Sequence, residues 1–322
     1  VAPAPKVSVV IPTYNRRRLL GEALDSIWTQ TFADYEVIVV DDGSADDTLA
    51  YLEAVQEPRL RFFSEPHRGI SAAANAGLRA ARGEFVARLD SDDLWTPDML
   101  ATELPALEAR PEAGFVYARM RRVDEQGRPT DRVFGQPPRF PNHLLKSLVW
   151  EDCTTHCTVI ARRDLLEKIG GYDESLPANE DWDLMLRMAA RRPYVFVDRV
   201  TAFYRWHAGN STTKAQSPLF DQALKSRRRV LDRVYEALDL PPEVRAIRGQ
   251  AYSNIELEAG LRYARAGRLR AAASAFRRAL EESDRKLYAF ARILWFLVFR
   301  PVLAAMPGGL RLLEVLSRRR RR

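Results

Sequence analysis

Apolar positions in the first half of this chain come in short blocks separated by helical periodicity. Val7 to Ile11 is one such block, ending at Pro12, and Val37 to Val40 is another, ending in Asp41-Asp42. Runs this short, with no polar face, predict parallel strands buried on both sides. Between them Leu19, Leu20, Ala23, Leu24, Ile27 and Trp28 recur at helical spacing, which completes a βαβ unit. A weaker strand at Leu60 to Phe63, a helix from about Ser71 and a strand at Phe85 to Leu89, ending in Asp90, continue the alternation. Ligands of an open parallel sheet sit beyond the carboxyl ends of its strands, so Asp41, Asp42 and Asp90 are expected to face one crevice.

The alternation loosens after residue 95. Pro97 to Ala109 predicts a helix with proline in its first turn, and Phe115 to Arg122 a strand. Asp124 to Pro141, rich in Gly, Pro and Arg, reads as a loop or poorly ordered hairpin on the acceptor side. A strand at Thr158 to Ala161 leads into a helix ending at Gly170-Gly171, and another helix follows Asn179-Glu180-Asp181. From about Asp221 the pattern is helical throughout. Leu257, Leu261, Ala264, Gly267, Ala271, Ala272, Phe276 and Leu280 resemble one tetratricopeptide-like helical hairpin, and a single copy must pack on something else. Leu287 to Met306 is apolar but broken by Arg292, Arg300 and Pro301, and a helix-like Leu310 to Leu316 precedes five terminal arginines. This falls short of a membrane span and fits a helix lying in the membrane interface. The expected division is a catalytic α/β domain over 1–214, with a nucleotide half over about 1–95 and an acceptor half over about 96–214, followed by a helical extension over 215–322.

Charge sharpens that division. The chain of 322 residues carries a net +7, but residues 215–322 hold 23 Lys and Arg against 11 Asp and Glu, which leaves 27 against 32 for residues 1–214. The basic extension suits an anionic membrane surface. Beyond its arginines it lacks the aromatic and basic surface pattern of a nucleic-acid binder, so no nucleic acid is expected. Two cysteines, Cys153 and Cys157, exclude a disulfide framework and a structural zinc site. Val1 to Lys6 has no apolar stretch before a cleavage site, so the expected location is cytoplasmic, peripheral at the inner face of the membrane.

Three polar constellations follow predicted strand ends or open a helix. Pro12-Thr13-Tyr14-Asn15 and Asp41-Asp42-Gly43-Ser44 could receive a nucleotide, a carboxylate taking N–H and ribose hydroxyl bonds and Tyr14 offering a stacking face; the same residues also make an ordinary helix-capping turn. In Arg88-Leu89-Asp90-Ser91-Asp92-Asp93, three carboxylates within four positions repel one another unless solvated or neutralised, and Mg²⁺ or Mn²⁺ bridging to a diphosphate would neutralise them. A solvated acidic turn is the alternative. Glu180-Asp181-Trp182 places a carboxylate where a general base for a hydroxyl is needed, with Asp183 as a rival and a helix-dipole cap as the plain alternative.

Taken in order, VSVVIPTYNR, EVIVVDDGSADDT, GISAAANAGLRAARGEF with RLDSDD, and ANEDWDLMLR resemble the family 2 inverting glycosyltransferases over roughly residues 6–210. The resemblance implies the GT-A fold: a Rossmann-like mixed, mainly parallel sheet flanked by helices, here with an all-helical C-terminal extension. It implies that Thr13, Tyr14 and Asp42 bind the nucleotide, that Asp90 contacts ribose and that Asp92 holds Mg²⁺ or Mn²⁺; Pro12, Asn15, Arg68 and Ser91 are expected to bind the nucleotide sugar beside them. It further implies Asp181 as general base, flanked on the acceptor side by Glu180, Trp182 and His156. His207, in Tyr204-Arg205-Trp206-His207, is a further metal candidate, ahead of Ala208-Gly209-Asn210-Ser211, which could close over the diphosphate. Many relatives have Ala-Arg-Asn where this chain has Ala73-Ala74-Asn75; Arg68, Arg79 or Arg88 could supply the missing charge, or the metal could carry more of the load. No Gln-x-x-Arg-Trp signature of processive synthases is present, so transfer of a single sugar, with UDP as the expected carrier, to a glycan or lipid-linked acceptor is expected. The competing reading is a non-catalytic, membrane-associated scaffold of the same fold.

Overall fold

The computed structural model describes residues 4–207, 218–295 and 297. Its organising element is a nine-stranded mixed sheet. The strands are β1 (Val7–Thr13), β2 (Tyr35–Asp41), β3 (Leu60–Ser64), β4 (Phe85–Arg88), β5 (Leu94–Trp95), β6 (Phe115–Val123), β7 (Pro129–Phe134), β8 (Ile160–Arg162) and β9 (Tyr194–Arg205), in the order β3-β2-β1-β4-β8-β6-β9-β5, with β7 on β6. The first four are parallel. β8 joins β4 and β6 antiparallel, so the sheet changes direction where its two halves meet.

β1 and β2 are buried along their whole lengths, as their unbroken apolar runs predict. α1 (Arg17–Trp28), α2 (Thr48–Ala54), α3 (Ile70–Ala80) and α4 (Met99–Glu108) flank the sheet, and its two faces carry separate apolar clusters. α3 lies tight on β1 because Gly77 has no side chain: a Cβ there would overlap Val10. This contact holds α3 close against β1.

Three sequence expectations change. Residues 124–134 complete a hairpin, with β7 paired antiparallel to β6 and Asp124 closing the turn through the backbone and side chain of Arg128, and residues 135–141 follow it as loop. His156–Thr158 is a 3₁₀ turn, so β8 starts at Ile160 and not at Thr158; Thr158 Oγ1 accepts the Ala118 N–H, which serves as a crossing tie and not a strand bond. α5 (Leu144–Trp150) and the long β9 were not assigned from the sequence.

α6 (Arg163–Lys168) and α7 (Glu180–Ala189) complete the acceptor half. The extension comprises α8 (Pro218–Ala237), α9 (Pro242–Arg245), α10 (Arg248–Arg265), α11 (Leu269–Glu282) and α12 (Lys286–Leu294). α10 and α11 form the expected helical hairpin, turning at Gly267 with φ +72° and packed where Gly260 admits the Phe276 ring. Val230, Leu231, Ala251, Tyr252 and Ile255 share one core with Phe115, Leu148 and Trp182, so the hairpin buries its remaining face on the α/β domain. Among the described residues no helix is long and apolar enough to cross a membrane. Leu310 to Leu316 and the terminal arginines lie outside the described residues.

Overpacking a tight core contact costs about 1–3 kcal/mol. Gly77→Ala is therefore expected to lower the urea midpoint without changing the slope, and to weaken nucleotide binding as α3 is pushed outward. An unchanged midpoint would show that the Val10 contact gives way easily.

Candidate active site

The strand ends build the crevice. Pro12 and Thr13 end β1 and are buried, and Thr13 pairs in register with Asp41. Asn15 takes a left-handed conformation, φ 51°, and its Oδ1 accepts the Ala45 N–H at 2.7 Å, which joins the loops after β1 and β2. Tyr14 is left exposed and stacks on His67 with ring centroids 4.1 Å apart. Asp42 is buried, and its carboxylate accepts the N–H groups of Arg68 and Gly69 at 2.8 and 2.9 Å and meets His67 Nδ1 at 2.8 Å. A carboxylate has about four lone-pair positions, which leaves room for one further donor.

Asp41 does not join this group. It points inward and accepts from Ser44 N–H and Ser64 hydroxyl, so it holds the turn and does not face a ligand. The three arginines considered for the charge missing at Ala74 also separate. Arg68 reaches Asp42 through its backbone, and its guanidinium pairs with Glu65 and Glu174. Arg79 is exposed in the last turn of α3, the far end from the crevice. Arg88 points inward.

Arg88 is the centre of the site. Its side chain is 5% exposed and bonds Asp90 at 2.7 Å and Glu180 at 3.5 Å, with the Tyr172 ring 5.1 Å away. Asp90 ends the donor-side sheet and Glu180 opens α7, so one cation ties the two halves together. Burial alone would raise the Asp90 carboxyl, but the Arg88 guanidinium beside it holds it below the usual carboxylate range. Tyr172 is fixed in turn by Asn75, whose side chain bonds the Tyr172 backbone at both its N–H and its C=O, and by His156 Nε2 at 2.7 Å from its hydroxyl. Burial and then the Arg88 charge push the His156 imidazole down to about 4, so it is neutral at pH 7 and packs in the site.

Asp92 lies on the other side of the loop. Its Oδ2 is 2.9 Å from His207 Nε2 and also pairs with Arg16 from the start of α1. Ser91 is buried between the two acidic residues. Arg205, almost wholly buried at the end of β9, clamps the loop by donating to the Asp92 carbonyl, the Asp93 carboxylate and Glu22. Burial and then the charges of Asp92 and Asp90 push the Asp93 carboxyl well above its ordinary range. Sequence reasoning missed Arg16, Arg205 and Asn75. Their signal was weak, because each acts on a residue far away in sequence.

Could Asp92 and His207 hold a divalent cation? Their donor atoms, one carboxylate oxygen and one imidazole nitrogen, already converge. Among the described residues no group of three or more His, Cys, Asp or Glu gathers for a metal. A site with two protein donors fits a cation that takes its remaining ligands from a diphosphate and water, as Mg²⁺ and Mn²⁺ do; the nitrogen favours Mn²⁺. The segment Ala208 to Ser211 lies outside the described residues.

On the acceptor side, Asp181 Oδ1 accepts the N–H of Trp182 at 2.7 Å. Trp182 lies beneath, its indole N–H bonded to the Leu148 carbonyl. Asn179 does not cap α7: it is left-handed, and its amide bonds the Ala223 carbonyl and Ser226 on α8. Burial and the Asp181 charge push Glu180 up to about 7. The same two causes push Asp152 up to about 6, although Asp152 keeps an exposed edge.

Comparison with known proteins places the chain in a family. The family model described as "Glycosyl transferase family 2" matches residues 8–170, and the chain belongs to that family. It is 31% identical over 214 residues to chondroitin synthase of Escherichia coli, covering 65% of this chain and 30% of that protein. It is 28% identical to an uncharacterised glycosyltransferase of a Nostoc species, over 69% of this chain and 71% of that one. Thus the chain spans under a third of the chondroitin synthase. Among solved structures it is similar to Staphylococcus aureus TarS in complex with UDP-GlcNAc, with a TM-score of 0.64, 23% identity and coverage of 95% and 85%. It is also similar to a Pyrobaculum calidifontis mannosyltransferase in complex with GDP-Man and Mn²⁺, with a TM-score of 0.61, 23% identity and coverage of 98% and 87%. The fold is therefore GT-A, and the chain is a glycosyltransferase.

Burial and the Asp181 charge hold Glu180 up to about 7, so the kcat profile is expected to fall on the acid side as Glu180 takes up its proton. Glu180→Gln should move that limb to lower pH. A limb that stays in place would separate Glu180 from the reacting base.

Proposed function

We propose that this chain moves a single sugar, with inversion, from a nucleotide diphosphate sugar to an acceptor hydroxyl, using a divalent cation. The observation that carries this reading is the Arg88 bridge, because it holds the donor-side Asp90 and the acceptor-side Glu180-Asp181 around one crevice. UDP is the proposed carrier. Its base would lie against Tyr14 and give its N–H to the open position on Asp42, while Asp90 receives ribose hydroxyls. Asp92 and His207 would hold Mg²⁺ or Mn²⁺, which when bound supplies Lewis-acid stabilisation of the departing diphosphate. Arg16, already at the Asp92 carboxylate, is placed to turn towards the phosphates and takes the part expected of an arginine at position 74.

Asp181 is the proposed base. A sugar hydroxyl is a poor nucleophile until its proton is taken. As the oxygen attacks the anomeric carbon, the proton passes to the Asp181 carboxylate and the bond to the nucleotide diphosphate breaks on the opposite face, which inverts the centre. Arg88 and the neutral His156 keep Asp90 and Tyr172 in place during that step without exchanging protons.

The proposed acceptor is a glycan or lipid-linked sugar in surface polysaccharide, glycolipid or glycoprotein synthesis, reached from the inner membrane face. Exposed Leu287, Tyr288, Phe290 and Leu297 cluster at the last described helix, where a basic extension would meet a bilayer. The GT-A domain over 1–214 would carry the chemistry and 215–322 the attachment.

Asp181→Asn is expected to lower kcat by about 10²–10⁴, the usual weight of a general base, with nucleotide binding intact. Asp92→Asn or EDTA should abolish transfer, restored in the wild type by Mn²⁺. Full activity in EDTA would overturn the metal assignment, and full activity of Asp181→Asn the base. Anionic liposomes should bind the full chain and release it on added salt, and Leu287→Asp with Phe290→Asp should weaken that binding. Binding that ignores both salt and these changes would overturn the attachment.

A further inference from the structure

Outside the donor crevice lies a second cavity, of about 210 Å³, between the acceptor half and the extension. Trp150 and Trp182 form one wall, and Arg227, Asn254, Arg265 and Arg292 the other. Its lining includes Trp182, the residue after the proposed base, and Arg227 lies 4.9 Å over the Trp182 ring. The Arg227 charge also reaches Asp152, which itself feels Asp181.

The walls are built for an anion. Three guanidinium groups line the space against two carboxylates, Glu151 and Glu258. Arg227 gives Nη1 to Glu258 at 2.6 Å, and Arg265 is exposed. Arg292 is held at the cavity by Asn254, whose amide is itself bonded to the Trp150 carbonyl, both at 2.8 Å. The second bond ties the extension to the α/β domain and the first holds α12 on α10, so residues of both parts line the cavity.

We propose that this cavity is an acceptor subsite for a sugar unit bearing a carboxylate or phosphate group, next to the unit whose hydroxyl is glycosylated. The inference rests on the reading of Asp181 as base. An acidic acceptor approaching Asp181, Asp152 and Glu180 meets like charge, which opposes binding. The arginines offset that repulsion one unit away from the reacting hydroxyl, and a guanidinium matches both carboxylate and phosphate with paired N–H groups. A neutral glycan gains nothing from them. Selection for acidic acceptors then comes from the extension, while the donor is read by the strand ends.

The test uses the full chain and ligand-observed NMR with three probes: methyl glucuronide, glucose 6-phosphate and neutral methyl glucoside. At least one anionic probe is expected to bind about tenfold more tightly than the glucoside, as loss of one charged hydrogen bond predicts, and the stronger of the two identifies the anion. Arg265→Gln and Arg292→Gln should each remove most of that preference, with the thermal shift produced by UDP and Mn²⁺ as a separate measure of the donor site. Equal binding of all three probes, or an unaltered preference in both variants, overturns the subsite and leaves the transferase reading standing if UDP with Mn²⁺ still stabilises the chain. Loss of that stabilisation in the wild type would instead overturn the donor-site reading.

Discussion

A buried guanidinium makes demands that the rest of the site must meet. Arg88 sits where water is excluded, and the cost of desolvating its charge is offset only if carboxylates come to it. Asp90 arrives from its own strand end and Glu180 from the first turn of α7. Tyr172 closes the remaining side, held there by Asn75 from α3. The Asp90 loop, the Tyr172 turn and the start of α7 thus meet at one cation, with Asn75 bracing Tyr172 from behind. Removing either carboxylate alone would leave the charge undercompensated, which is why the pair acts as a unit.

Arg205 plays the matching part for the acidic loop. It reaches across from β9 to the backbone of Asp92 and the side chains of Asp93 and Glu22. Burial and then the charges of Asp92 and Asp90 push the Asp93 carboxyl well above its ordinary range. The Asp92 oxygen is shared by His207 and Arg16.

Much of the nucleotide half was legible because its physics is local. The unbroken apolar runs of β1 and β2 and the helical spacing of α1 have few alternative readings, and the turn residues after each strand gave the crevice. The acceptor half was harder. The Asp198-Arg199 pair interrupts the apolar pattern of β9, and the register with β6 slips near that point, so no simple period marks the strand. Helix α5 is only seven residues long and was hidden beside a Gly- and Pro-rich stretch. Asp41 turns inward to Ser44 and Ser64, which sequence could not show because two neighbouring carboxylates at a strand end look alike there. Arg16 and Arg205 could not be assigned at all, since their meaning lies in partners about eighty or more positions away.

Asn179 carries a consequence for how the molecule can be divided. Its amide reaches α8, and α8 and α10 share a core with the strands that frame the crevice. The residue immediately before Glu180-Asp181 is therefore steered from beyond position 214. A chain cut between β9 and α8 would lose the contact that Asn179 makes with α8. Grafting a different extension onto this α/β domain would then shift the start of α7 with its Glu180 and Asp181, so the two parts can be exchanged between relatives only as a matched set.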